Sequence, residues 1–191
     1  MLKKLAITGG ISSGKTQALK IFKKLGSYTV NTDKIAHKLL DTKNIKNKII
    51  KIFGKEIQKK DKIDRKRLAK IVFENENRLY QLEKILHPQI LDEIKTEYEK
   101  IKNKDYLFFV VEIPLLFEIK AEKFFDVIIT VSAKDSIAKK RYKYKDYVQR
   151  KKRQMSLKEK AKLSDYVIRN NLDLSNLEKN IKKISKLINK Y

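Results

Sequence analysis

The residues Gly9-Gly10-Ile11-Ser12-Ser13-Gly14-Lys15-Thr16 place a lysine and a hydroxyl side chain directly after a turn that opens and closes on glycine. The spacing is G-x-x-x-x-G-K-[ST], and the chemistry that needs it is the binding of a polyphosphate. Glycines allow the backbone to fold tightly with its N–H groups directed at an anion, and a following helix N-terminus adds a favourable dipole. In such a loop the lysine reaches the outer phosphates as a point charge, while the hydroxyl ligates Mg²⁺. Gly10, Ile11, Ser12, Ser13, Gly14, Lys15 and Thr16 are therefore the candidate ATP-binding residues, with Lys15 also catalytic and Thr16 a metal ligand. The chain has only five glycines, and two of them fall in register here, which argues against a chance match.

Such a loop works only when a strand delivers the chain to its first glycine and a helix leaves from its lysine. Both are legible. Leu2 to Thr8 is a short apolar run that reads as a buried strand, and Leu19, Phe22 and Leu25 recur at helical spacing up to a stop at Gly26. Tyr28 to Asn31 reads as a second strand, followed by a helix start at Thr32-Asp33. From Asp33 to Lys104 the pattern is almost entirely helical. Asp64 is placed to cap a long helix, and His87-Pro88 to interrupt it, because proline has no N–H for the helical ladder. Tyr106 to Ile113, Val127 to Val131 and Tyr166 to Arg169 read as further strands, and Leu174 to Ile188 as an amphipathic terminal helix. Short, fully apolar strands alternating with helices predict an α/β fold built on a parallel sheet.

Composition narrows the field. The 191 residues carry a net charge of +24, with 37% charged and 41% hydrophobic residues, enough to bury a core. There is no cysteine and only His37 and His87, which excludes thiolate chemistry and histidine-rich metal sites. The longest apolar run, Leu107 to Val111, falls far below the roughly 18 residues a membrane span requires. The expected setting is cytoplasmic, without membrane contact, and a monomer is favoured. The positive charge is mostly lysine spread along the chain, where a nucleic-acid binder concentrates arginine and interleaves aromatics. No nucleic-acid partner is expected, although the field would steer polyanions towards a cleft.

A series of further segments resembles the dephospho-coenzyme A kinase family over nearly the whole chain, in order. Asn31-Thr32-Asp33-Lys34-Ile35-Ala36-His37 is similar to its D-A-D-x-I-A-H/R. Ile63 to Leu68, Val72-Phe73 and Leu82 to Pro88 are similar to its I-D-R-x-x-L, V-F and L-E-x-x-x-H-P. Glu112-Ile113-Pro114-Leu115-Leu116-Phe117-Glu118 resembles D-V-P-L-L-F-E, and Ser164 to Asn171 resembles A-D-Y-V-I-D-N. The resemblance implies a three-layer P-loop kinase fold: a nucleotide-binding core (1–32, 105–134 and 164–191), an inserted helical substrate-binding region (33–104) and a lid (135–163). It implies transfer of the γ-phosphoryl group of ATP to the ribose 3′-hydroxyl of dephospho-coenzyme A, with Mg²⁺.

The same resemblance assigns roles. Asp33 becomes the acceptor-binding carboxylate and general base, a reading compatible with capping a helix that begins at Lys34. His87, Pro114 and Leu115 become acceptor-binding residues, with helix termination and packing as the alternatives. Glu112 stands where the family usually has aspartate, so its hold on the metal is expected through water. The family's lid carries R-x-x-x-R, and those positions fall on Lys139 and Lys143 here. Arg141, or Arg150, or the two lysines, is then the group that grips the transferring phosphoryl, with Arg141 placed first because arginine offers a planar fork. Two other readings stand beside this one. A nucleoside monophosphate or shikimate-type kinase would show an arginine-rich acceptor motif, absent here, and a basic nucleic-acid-binding module would leave the phosphate loop without a task.

Overall fold

The computed structural model describes residues 1–144 and 146–190. The chain divides into two compact units, Met1–Asn31 with Tyr98–Tyr191, and Thr32–Glu97.

The first unit is built on a five-stranded sheet of β1 (Lys4–Gly9), β2 (Tyr28–Asn31), β5 (Phe109–Glu112), β6 (Val127–Ser132) and β7 (Tyr166–Arg169) in the order β2-β5-β1-β6-β7. Every pairing in it is parallel. Alternate residues of the strands point to opposite faces, and both faces are covered. On one, Leu5, Ile7, Val110, Ile129, Val131 and Ile168 join a core with Ala18, Leu19, Ile21 and Phe22 of α1 (Lys15–Lys24) and Leu177, Ile181 and Ile188 of α9 (Leu174–Asn189). Each large side chain buried there contributes about 2 kcal/mol. On the other, Phe109 meets Tyr98 edge to face at 5.3 Å, and α8 (Leu157–Lys162) packs against β1 and β6. The result is the three-layer α/β architecture. The strands begin later than the apolar runs suggest, at Lys4 and Phe109, because the sheet extends only as far as its neighbours can pair.

Between β6 and β7 lie α6 (Asp135–Arg141), α7 (Tyr147–Lys152) and α8. Ser156 and Glu159 close a capping box at the start of α8, satisfying two N–H groups reciprocally. The helical spacing that would align Lys139 with Lys143 does not extend that far, since α6 stops at Arg141 and Tyr142 turns extended. Lys145, the end of that basic stretch, lies outside the described residues.

The second unit comprises α2 (Thr32–Leu39), α3 (Lys43–Phe53), a two-residue hairpin of β3 (Gln58–Lys59) and β4 (Lys62–Ile63), α4 (Arg65–Phe73) and most of α5 (Glu76–Ile101). Asp64 caps α4 as expected, accepting from the amides of Lys66 and Arg67. Two expectations fail. The long helix breaks after Phe73, where Asn75 caps a fresh start by accepting from the Arg78 amide. The expected interruption at His87-Pro88 is absent, and α5 runs through Pro88.

Candidate functional site

The phosphate loop starts where β1 ends, and its glycines are dictated by neighbours. A Cβ on Gly9, at φ 137°, would lie 2.0 Å from the Val131 carbonyl oxygen of the adjacent strand. On Gly14, at φ 102°, it would lie 2.1 Å from Asn170 Nδ2. Gly14 is also the N-cap of α1, and no side chain caps that end, which leaves the first-turn N–H groups available to an anion. Lys15 is 8% exposed. Its ammonium folds over the loop and donates to the carbonyls of Gly10 at 2.6 Å and Gly9 at 3.3 Å. The buried Ser13 hydroxyl has no hydrogen-bond partner among the described residues.

Thr16, one residue along α1, donates from Oγ1 to Glu112 Oε1 at 2.8 Å. Glu112 is the last residue of β5 and 3% exposed. Its other oxygen accepts from Asn31 Nδ2 at 2.6 Å. The strand register explains the meeting: Glu112 lies opposite Asn31 on β2 and Ile7 on β1, so all three stand at the carboxyl edge of a parallel sheet, where ligands bind in such folds. Among the described residues no group of three His, Cys, Asp or Glu side chains could chelate a metal by itself. A hydroxyl and one carboxylate are nonetheless what Mg²⁺ asks of a protein, because it keeps several waters and takes its remaining oxygens from substrate phosphates. The extra methylene of glutamate is accommodated by direct contact with Thr16.

The segment after β6 borders the loop. Ile11 packs into a small cluster with Ala133, Ala138, Tyr142 and Tyr147, and Leu157 of α8 lies over Gly10. Tyr142 donates to Asp146 at 2.6 Å and Tyr147 to Asp135 at 2.9 Å. Burial, helped by these carboxylates, pushes both phenols up to about 12. Arg150 pairs with Asp146 at 2.6 Å. Arg141 donates from its two terminal nitrogens to the carbonyls of Asn170 at 3.0 Å and Leu172 at 3.3 Å.

Of the remaining sequence-derived residues, Pro114 directs its carbonyl at Thr8 Oγ1, 3.2 Å away, and at Lys160 Nζ, 2.7 Å away. Leu115 is partly buried in the same turn. Asp33 lies exposed in the first turn of α2, which begins at Thr32, so it is not the N-cap of a helix starting at Lys34. His87 sits within α5, and burial holds its imidazole below the usual 6.5.

Two groups escaped the sequence reading. Asn170, 6% exposed, donates from Nδ2 to the Ser13 carbonyl at 2.8 Å. Lys160, with no exposure at all, pairs with Glu118 Oε1 at 2.9 Å, while the Glu118 carboxylate also accepts from the Met155 amide. Both lie in segments that carry the family resemblance, but nothing local to Asn170 or Lys160 announces burial.

The sequence model described as dephospho-CoA kinase matches residues 4–176. A relative from Protochlamydia amoebophila, named dephospho-CoA kinase, is 42% identical over 96% of this chain and 95% of its own length. The solved dephospho-CoA kinase of Campylobacter jejuni superposes with a TM-score of 0.76 at 30% identity, covering 100% of this chain and 98% of that one. The shikimate kinase of Aquifex aeolicus superposes at 0.51 with 12% identity over 97% of each chain, a likeness of fold alone.

Proposed function

The chain belongs to the dephospho-CoA kinase family, and from that membership we propose how its residues divide the work. The enzyme transfers the γ-phosphoryl group of ATP to the ribose 3′-hydroxyl of dephospho-coenzyme A, the last step of coenzyme A synthesis. We propose that Gly10, Ile11, Ser12, Ser13, Gly14, Lys15 and Thr16 hold the triphosphate. The loop amides and the open start of α1 face its oxygens, and Lys15 leaves its loop carbonyls for the β- and γ-phosphates. Thr16 and Glu112 hold Mg²⁺, Glu112 directly or through a bound water. When bound, the ion neutralises charge that builds on the phosphate oxygens.

Asp33 follows Asn31 by two residues, so it is carried into the second unit from the end of a site-bearing strand. We assign it to the acceptor: its carboxylate orients the 3′-hydroxyl and takes its proton as oxygen attacks the γ-phosphorus. The bond from that phosphorus to the β–γ bridging oxygen breaks, and ADP leaves. His87, Pro114 and Leu115 are assigned to acceptor binding, within the helical region 33–104 and the turn after β5. The segment 135–163 acts as a lid and supplies the remaining cation. The engagement of Arg141 by two backbone carbonyls favours Lys139 or Arg150 for that task. All these residues come from one chain, so a monomer suffices, and dependence on ATP fits a cytoplasmic setting.

The observation that carries this reading is the 2.8 Å contact of Thr16 with Glu112 beside Lys15, at the carboxyl ends of β1 and β5. Asp33→Asn tests the division of labour. We expect kcat to fall about a hundredfold, the low end for loss of a positioned base, with KM for ATP within about twofold, since Asp33 faces the acceptor. Unchanged kcat would remove Asp33 from the reaction.

A further inference from the structure

The guanidinium of Arg141 and the side-chain amide of Asn170 form a relay that ends on the phosphate loop. Asn170 follows the last residue of β7 and is held on three sides. Its own N–H donates to the Ser132 carbonyl at 2.7 Å, its carbonyl accepts from Arg141, and its Nδ2 donates to the Ser13 carbonyl at 2.8 Å. Arg141 spans from Asn170 to Leu172, so one planar fork fixes two carbonyls of the chain that leaves β7.

What this does to the loop follows from peptide geometry. In a trans peptide the carbonyl and the next N–H point in opposite directions. Pinning the Ser13 carbonyl towards Asn170 therefore turns the Gly14 N–H the other way. Gly14 can take this orientation because it lies at φ 102° and has no Cβ, which would collide with Asn170 Nδ2. A phosphate cradle depends on such inward N–H groups being set before the anion arrives, since a dipole already in place costs no reorganisation.

We infer that Arg141 is a positioning residue for ATP, acting through Asn170 on the Ser13–Gly14 peptide, and not the group that grips the transferring phosphoryl. The inference rests on the assignment of Gly10–Thr16 to ATP. It separates two effects that the sequence alone leaves merged: loss of a clamp lowers kcat, whereas loss of a pre-set cradle weakens ATP in the ground state as well and raises KM.

The test is a kinetic cycle on the full chain with Arg141→Ala, Arg141→Lys, Asn170→Ala and the double variant Arg141→Ala/Asn170→Ala. ATP affinity is measured independently by titration calorimetry, and melting temperature is recorded without nucleotide. Asn170→Ala should raise KM and Kd for ATP about tenfold, and Arg141→Ala about threefold, the scale of single hydrogen bonds. In both, kcat should fall less than about threefold. Arg141→Lys should resemble Arg141→Ala, because an ammonium cannot hold two carbonyls in one plane. The double variant should be no weaker than Asn170→Ala alone, because Arg141 acts through that residue. A fall in kcat of about a hundredfold in Arg141→Ala at unchanged KM would overturn the inference in favour of a clamp. Lowered melting temperature with unchanged ATP affinity would overturn it in favour of a structural tie. Lys15→Ala, run alongside, keeps the underlying assignment separate. If that variant also binds and turns over ATP normally, the loop assignment fails. If it is inactive while the relay variants are normal, only the relay fails.

Discussion

Thr16 Oγ1 and Glu112 Oε1 lie 2.8 Å apart, joining the first turn of α1 to the last residue of β5. The contact places a hard oxygen pair beside Lys15, and its consequence is a dependence on Mg²⁺ that runs through one carboxylate. Glu112→Gln keeps the reach and one acceptor oxygen for Thr16 but removes the charge. The half-saturating Mg²⁺ concentration should rise at least about tenfold, the lower range for disturbing a group that holds a metal or its water, and excess Mg²⁺ should restore part of kcat. Glu112→Asp, one methylene shorter, should lose contact with Thr16 and give an intermediate value. A Mg²⁺ titration unchanged in Glu112→Gln would remove Glu112 from the metal site.

The Lys160–Glu118 pair makes a prediction about stability with a built-in asymmetry. Lys160 is fully buried, whereas the Glu118 side chain is 20% exposed and can still recruit water. Glu118→Ala leaves a buried ammonium with the Pro114 carbonyl but no counter-charge, and should cost about 3–5 kcal/mol. Lys160→Met removes the buried charge itself and should cost less, about 2 kcal/mol. Lys160→Met combined with Glu118→Leu should recover part of the larger loss. Urea unfolding of the three variants measures this, and equal losses in the two single variants would contradict the asymmetry.

His87 predicts a pH effect whose sign is fixed by burial. Its folded pKa is lowered from 6.5, so on acidification the unfolded chain takes up the proton first. Stability attributable to His87 is therefore intact above about pH 6.5 and declines as pH falls from there through the lower folded value. Melting temperature followed from pH 7.5 to pH 5 should drop more in the wild type than in His87→Gln, which does not titrate. Parallel profiles would mean that the imidazole remains solvated.

The phosphate loop was legible because its function depends on local spacing: Gly9, Gly14, Lys15 and Thr16 must follow one another closely, between a strand and a helix. The parallel sheet was legible for a similar reason, each strand being a short apolar run. Pro88 was misread because a local rule was weighed without its competitor. Leu82, Leu86, Ile90 and Ile94 recur every fourth residue through the proline, and all four are buried. A helix proline costs about 3 kcal/mol, less than about 2 kcal/mol for each of four buried side chains. Asn170 and Lys160 were silent for the opposite reason. Their partners, Ser13 and Glu118, lie 157 and 42 residues away, and a lysine in a basic chain reads as surface until the fold brings a carboxylate to it.

The central claim, that this site moves a phosphoryl group from ATP to the ribose 3′-hydroxyl of dephospho-coenzyme A, is tested most directly by an acceptor panel. Purified protein is incubated with ATP and Mg²⁺ and, in turn, dephospho-coenzyme A, nucleoside monophosphates or shikimate, with ADP release followed and the product mapped by mass spectrometry. The account predicts turnover with dephospho-coenzyme A alone, one phosphate added at the 3′ position, and its loss in Lys15→Ala. Turnover with shikimate or a nucleoside monophosphate and none with dephospho-coenzyme A would contradict it.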